Sequence, residues 1–122
     1  MKILIVDDSR LVRIKLKAEL FDRGHTVIEA RDGEEALARI QKQSPDAVFL
    51  DIILPKLDGC EVLRRLRETH PNLPVVMLST AASDENIAFA NANGALMFIQ
   101  KPYADHEISA ALAKMQQQVE RQ

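Results

Sequence analysis

The segment Ile3-Leu4-Ile5-Val6-Asp7-Asp8 carries the pattern that decides the fold. Its four apolar residues follow one another without alternation, and two carboxylates come directly after them. A run that is apolar at successive positions is typical of a strand buried on both faces of a parallel sheet. The segment therefore predicts a central strand that carries two acids to one edge of the sheet.

Further short apolar runs predict four more strands, at residues 26–29, 47–50, 75–78 and 95–99. The segments between and after them show helical spacing, and we expect each helix to turn one apolar stripe toward the sheet. The predicted stripes are Leu11, Ile14, Ala18 and Phe21; Ala36, Leu37 and Ile40; Val62, Leu63 and Leu66; Ile87, Ala88 and Ala90; and Ile108, Leu112, Met115 and Val119. The last helix is expected at about residues 104–120.

Residues at the predicted helix ends support these boundaries. Asp32 with Glu35, and Asp58 with Glu61, have the spacing of a capping box, and Gly24 suits the left-handed position after the first helix. Five strands then alternate with five helices. Short connections and right-handed crossovers favour an open α/β fold, in which a parallel sheet has helices on both faces.

Composition excludes several classes of function. The chain has 122 residues, which fits one domain, and its net charge of -2 gives no broad basic field for nucleic acid. Cys60 is the single cysteine, and no apolar stretch approaches the roughly 20 residues that cross a membrane. The first apolar run is too short for a signal peptide, so we expect a cytoplasmic location without direct binding to nucleic acid or membrane.

Chemically useful side chains follow four of the five predicted strands, and they share one edge of a parallel sheet. They are Asp7-Asp8, Asp51, Ser79-Thr80 and Lys101-Pro102. Clustered carboxylates repel one another unless a cation neutralises them, and hard oxygen ligands select Mg²⁺. A carboxylate can also attack phosphorus, while an ammonium and a hydroxyl neutralise the phosphoryl oxygens.

Each of these features has an ordinary structural explanation when it is taken alone. An Asp pair after a strand commonly caps a helix, Asp51 fits a turn before Pro55, and Lys-Pro commonly ends a strand. Independent accidents would not be expected to bring all of them to the same edge. The combination therefore favours a functional site.

The chain resembles the receiver domain of two-component response regulators over essentially its whole length. The matching motifs are Leu4-Ile5-Val6-Asp7-Asp8-Ser9, Leu50-Asp51-Ile52-Ile53-Leu54-Pro55, Asp58-Gly59, Met77-Leu78-Ser79 and Lys101-Pro102-Tyr103. The resemblance implies a flavodoxin-like (CheY-like), doubly wound five-stranded sheet in the order 2-1-3-4-5. It also implies one receiver domain over residues 1–122, with 116–122 as a helical tail or the start of a linker.

The resemblance further implies that Asp51 accepts a phosphoryl group from a sensor histidine kinase or a histidine phosphotransfer protein. Mg²⁺ would be bound by Asp8, by Asp51 and by the backbone carbonyl of Ile53. Asp7 would act through a bound water. The protein would then be a signalling switch that catalyses only its own phosphorylation and dephosphorylation.

The same resemblance assigns the signal to residues across the crevice. Lys101 would contact the phosphoryl oxygens, and a cis peptide bond before Pro102 is expected. Ser79 would be the switch hydroxyl and Phe98 the switch aromatic, with Thr80 as the other candidate for the hydroxyl. Phosphorylation would change the surface of the fourth helix, fifth strand and fifth helix, which would signal to a downstream partner or a fused output domain.

Other functions remain open from the residues alone. A phosphatase of the haloacid dehalogenase type also uses an Asp nucleophile, but it needs a second Asp where Ile53 stands. A phosphorylation-independent pseudo-receiver normally lacks one of the site residues, and a flavodoxin-like carrier lacks support because no phosphate loop follows the first strand. Ala110, Ala111 and Ala113 would permit close packing in a homodimer on activation.

Overall fold

A computed structural model gives the structure of residues 1–121. Its strands are β1 Lys2–Val6, β2 Thr26–Ala30, β3 Ala47–Leu50, β4 Val75–Ser79 and β5 Met97–Gln100. Its helices are α1 Arg10–Asp22, α2 Gly33–Gln43, α3 Gly59–Thr69, α4 Asp84–Ala92 and α5 Asp105–Glu120. Strand and helix alternate throughout, as the sequence predicts. Gln122, the last residue of the predicted tail, lies outside the described residues.

The five strands form one parallel sheet in the order β2-β1-β3-β4-β5. The predicted fold class and strand order are therefore confirmed. Val6 pairs with Leu50, so β1 and β3 end side by side, and Ser79 pairs with Gln100 at the ends of β4 and β5. This register brings the residues after these strands to one edge.

Two apolar layers cover the sheet. Leu4 and Val6 of β1 face a layer built from α2, α3 and α4, while Ile3 and Ile5 face a layer built from α1 and α5. The alternation of side chains along a strand explains why an unbroken apolar run is needed, because both faces are buried.

In the part of the chain that the structure describes, no helix is long and apolar enough to span a bilayer.

The predicted caps are present at the ends of the helices. Asp32 accepts a hydrogen bond from the Glu35 amide at 2.8 Å, and Asp58 accepts one from the Glu61 amide at 3.0 Å. Gly24, which follows α1, has a φ of 87°. These local signals fix where helices begin and end, which is why most boundaries agree with the sequence to within one or two residues.

The predicted buried stripe of α1 is wrong. That stripe consists of Leu11, Ile14, Ala18 and Phe21, and all four side chains are exposed. Leu16 and Leu20 contact the sheet instead, each 0% exposed, whereas Leu11 is 79% and Phe21 72% exposed. Both sets have helical spacing, so periodicity alone cannot tell which one faces the core.

The fifth strand begins two residues later than the predicted 95–99 segment. The Ala95 amide donates to the Ala90 carbonyl at 2.9 Å, so Ala95 still belongs to the turn that closes α4. Pairing with β4 starts at Met97, opposite Val76. An apolar turn residue next to an apolar strand carries no sequence signal of the boundary.

Candidate functional site

Three carboxylates meet where β1 and β3 end. One oxygen from each of Asp7, Asp8 and Asp51 lies within 4.8 Å of the others. Asp7 is 3% and Asp51 5% exposed, whereas Asp8 faces solvent. Two buried acids so close together need a positive charge nearby, because each is largely removed from water.

Backbone hydrogen bonds fix the two buried acids. The Asp7 amide donates to the Ala30 carbonyl at 3.1 Å, and the Asp51 amide donates to the Val6 carbonyl at 3.0 Å. The Ser9 amide donates to Asp7 Oδ1 at 2.9 Å, and the Ile53 amide donates to Asp51 Oδ1 at 3.3 Å. One oxygen of each carboxylate is thus used for orientation, and the other is left for a cation.

Lys101 supplies that cation. Its Nζ lies 2.5 Å from Asp7 Oδ2 and 3.0 Å from Asp51 Oδ2, and its side chain is 14% exposed. Burial lowers the pKa of Lys101, but the hydrogen bonds to both carboxylates outweigh it and raise the pKa overall. Burial raises the pKa of Asp7, against the opposing effect of Lys101. The Lys101–Pro102 peptide bond is cis, as expected.

Ser79 and Phe98 lie on the neighbouring strands. Ser79 is the last residue of β4 and 0% exposed, and its hydroxyl accepts a hydrogen bond from the Ala81 amide at 3.1 Å. Thr80 lies beyond the strand and is exposed. Phe98 is partly buried against the α2, α3 and α4 layer. These positions favour Ser79 over Thr80 as the hydroxyl at this edge.

Comparison with known proteins identifies the family. The family model described as the response regulator receiver domain matches residues 3–113. The chain belongs to this family. It is the receiver domain of a two-component response regulator.

Known relatives of the receiver domain agree in sequence and in fold. Response regulator MprA of Mycolicibacterium vanbaalenii is 44% identical over 112 residues, covering 91% of the chain and 48% of the relative. The chain therefore spans about half the length of the curated relatives that it matches.

Two solved structures are similar over most of their length. The CheY-like receiver domain protein of Methanospirillum hungatei superposes with a TM-score of 0.93 at 30% identity, covering 99% of the chain and 98% of that structure. The CheX-CheY-BeF3-Mg²⁺ complex of Borrelia burgdorferi gives a TM-score of 0.87 at 31% identity, covering 92% and 86%.

The donor set of the receiver domain fits a magnesium ion. Its carboxylates are hard oxygen ligands, and the exposed Asp8 leaves room for the waters that Mg²⁺ keeps. The structure brings the three predicted acids together with Lys101. The Ile53 carbonyl stays a predicted ligand. Its residue follows β3, and the side chain is 56% exposed.

Two residues that hold the site were not singled out for this role from the sequence. Arg13 of α1 donates to the Asp7 carbonyl at 2.7 Å and pairs with Glu29 at 3.2 Å, which fixes the turn after β1. Gly59 begins α3 against the Asp51 backbone, where any Cβ would collide with the Asp51 carbonyl oxygen. The Asp58-Gly59 motif marked Gly59 in the sequence without indicating its contact with Asp51, whereas nothing distinguishes Arg13 from other basic residues on α1.

Proposed function

We propose that this receiver domain accepts a phosphoryl group on Asp51 in a Mg²⁺-dependent reaction and thereby switches its α4-β5-α5 surface. The donor would be a phosphohistidine of a sensor histidine kinase or a histidine phosphotransfer protein. One observation carries the proposal. Asp51 lies in a cluster of three carboxylates within 4.8 Å, with the Lys101 ammonium 3.0 Å from its Oδ2.

In the proposed reaction, a carboxylate oxygen of Asp51 forms a bond to phosphorus as the bond from phosphorus to the donor imidazole nitrogen breaks. The electron pair of the broken bond stays on the imidazole. Lys101, which now bridges Asp7 and Asp51, would move to the phosphoryl oxygens. Bound Mg²⁺ would supply neutralisation of the negative charge that the phosphoryl group brings.

The readout would pass through the ends of β4 and β5. The Ser79 hydroxyl accepts from Ala81, which leaves its own proton free to donate to a phosphoryl oxygen. The Lys101 amide also donates to the Ser79 carbonyl at 3.1 Å, so the two groups that would contact the phosphoryl group are joined. A movement of Ser79 and Lys101 would also move β5, which carries Phe98.

The exposed stripe on α1 supports docking of a protein donor. Leu11 and Phe21 expose most of their side chains, and α1 starts two residues after Asp8. Exposed apolar patches beside polar groups commonly mark interaction surfaces. We expect Leu11→Ser and Phe21→Ser to slow transfer from a phosphohistidine donor by roughly tenfold and to leave the reaction with acetyl phosphate unchanged. If the variants accept phosphate from the phosphohistidine donor at the wild-type rate, or lose the same factor with both donors, this docking site is contradicted.

The most direct alternative is a phosphatase of the haloacid dehalogenase type. That chemistry needs a second acid to protonate the leaving group, and Ile53 occupies the position concerned. Steady turnover of a small phosphate ester would support it. A pseudo-receiver has less support because each residue that the family pattern requires is present.

We further propose that residues 1–122 form one receiver domain that signals to a downstream partner or to a fused output domain. The helix α5 runs to Glu120, so most of the predicted tail at residues 116–122 continues that helix. Ala110 and Ala113 are exposed on α5 and would permit close approach of a second copy on activation. Sedimentation with and without phosphorylation would test the homodimer.

Beryllofluoride binding tests the proposed site without a kinase. We expect beryllofluoride with Mg²⁺ to raise the unfolding temperature, and neither reagent alone to do so to the same extent. Asp51→Asn should abolish the combined effect. Asp84→Asn, which removes an exposed carboxylate from the first turn of α4, is the matched control. A combined effect that survives in Asp51→Asn would refute the site.

A further inference from the structure

Tyr103 links the loop that carries Lys101 to helix α1. Its hydroxyl lies 3.1 Å from Glu19 Oε2, and its ring packs against the α1 and α5 layer. The Lys15 ammonium lies 5.1 Å from the ring centroid, within cation–π distance. Burial, and then the charge of Glu19, raise the pKa of Tyr103. The hydroxyl therefore keeps its proton and donates to the carboxylate.

The connection from Tyr103 to Lys101 is short and stiff. Only Pro102 separates them, and its ring fixes φ, so the segment has few ways to bend. On its other side, the Lys101 amide donates to the Ser79 carbonyl at 3.1 Å. The loop is thus held by β4 before Pro102 and by α1 after it.

We propose that Tyr103 is a positioning residue that keeps Lys101 at the phosphorylation site through its hydrogen bond to Glu19. The inference rests on the proposed function, because it concerns the work of Lys101 in that reaction. Tyr103 takes no part in bond making. It comes two residues after Lys101, whose ammonium contacts Asp51 Oδ2 at the proposed site of reaction. Loss of the hydroxyl would let the loop move away from α1 and reduce the time that Lys101 spends in place.

A simpler role for Tyr103 is packing, and the chain offers a clean way to separate the two. Tyr103→Phe keeps the ring in the α1 and α5 layer and removes only the hydrogen bond. Glu19→Ala removes the acceptor from the other side. Asp22→Ala removes an exposed carboxylate from the end of the same helix and serves as the matched control.

The experiment measures the rate of phosphorylation by acetyl phosphate with Mg²⁺, over a range of acetyl phosphate concentrations. Because small displacements of a catalytic group can cost up to about a hundredfold, we expect maximal rates roughly threefold to tenfold lower in Tyr103→Phe and Glu19→Ala. The double variant should be no slower than either single one, since both break one bond. The half-saturating concentration and the Asp22→Ala rate should match the wild type.

The outcomes distinguish this inference from the proposed function. A wild-type protein that takes no phosphate would refute the proposed function itself. If the wild type reacts, a normal maximal rate in Tyr103→Phe or in Glu19→Ala overturns the positioning role. Losses that multiply in the double variant, or an effect confined to the half-saturating concentration, overturn it as well.

Discussion

Replacing Lys101 with methionine tests the charge balance of the site most sharply. Methionine keeps an unbranched side chain of similar length but removes the ammonium that bridges Asp7 and Asp51. The two contacts measure 2.5 and 3.0 Å, and the three side chains are 14%, 4% and 7% exposed. Lys101→Met therefore leaves two buried carboxylates facing each other without a counter-charge.

The size of the effect follows from the geometry. At 3.0 Å, an ion pair in surroundings of effective dielectric constant about 20 gains roughly 5 kcal/mol of Coulomb energy. Desolvation offsets part of this, and breaking a buried pair typically costs about 3–5 kcal/mol. We expect Lys101→Met to lower the free energy of unfolding by about 3 kcal/mol when Mg²⁺ is removed. With a urea dependence of about 1.5 kcal/mol per M, the midpoint falls by roughly 2 M.

Urea unfolding in EDTA and in saturating Mg²⁺ measures this effect. The metal binds the same carboxylates, so Mg²⁺ should restore most of the lost stability in Lys101→Met. Lys114→Met, at an exposed position on α5, is the matched control and should unfold like the wild type. A loss below about 1 kcal/mol in EDTA, or the same loss with and without Mg²⁺, would refute this reasoning.

Three further predictions concern the same edge of the sheet. Burial raises the pKa of Asp7 despite its contact with Lys101, so the charged carboxylate is less favourable in the folded protein than in water. Asp7→Asn should therefore raise the unfolding free energy in EDTA and weaken the response to Mg²⁺, as urea titrations with and without the metal would show. Gly59→Ala places a Cβ against the Asp51 carbonyl, so the unfolding free energy should fall by about 2–3 kcal/mol; an unchanged urea midpoint contradicts this. Ser79→Ala should still be phosphorylated but lose most chemical-shift changes in α4 and β5 by NMR, whereas Thr80→Ala should keep them.

Much of the fold could be predicted because local and long-range signals agree. The apolar runs at 3–6 and 47–50 are buried on both faces, and caps such as Asp32 and Asp58 mark where helices begin. Because parallel strands end at one edge, residues far apart in sequence were expected to meet there. The structure does bring Asp7, Asp51 and Lys101 together.

The face of α1 could not be predicted for a physical reason. Leu11, Ile14 and Phe21 lie on one side of the helix and Leu16 and Leu20 on the other, and both sides are apolar. Only packing against the sheet selects Leu16 and Leu20, because α1 contacts β1 and β2 through the side of the helix that carries them. An exposed apolar face looks like a core face in the sequence.

The bond between Tyr103 and Glu19 was also beyond sequence reasoning. The residues are 84 positions apart, and although Tyr103 ends the Lys101-Pro102-Tyr103 motif after β5, nothing in the sequence marks Glu19 as its partner. A tyrosine in this place fits simple packing equally well. Contacts of this kind depend on side-chain directions that only the assembled α1 and α5 layer sets.

Phosphate incorporation from radiolabelled acetyl phosphate tests the central claim most directly. With Mg²⁺, the wild-type protein should gain one acid-stable, base-labile phosphate that peptide mapping locates at Asp51. Asp51→Asn should gain none, and removal of Mg²⁺ should prevent labelling of the wild type. Labelling of the wild type at another residue, or no labelling under any donor and metal condition, would contradict the account.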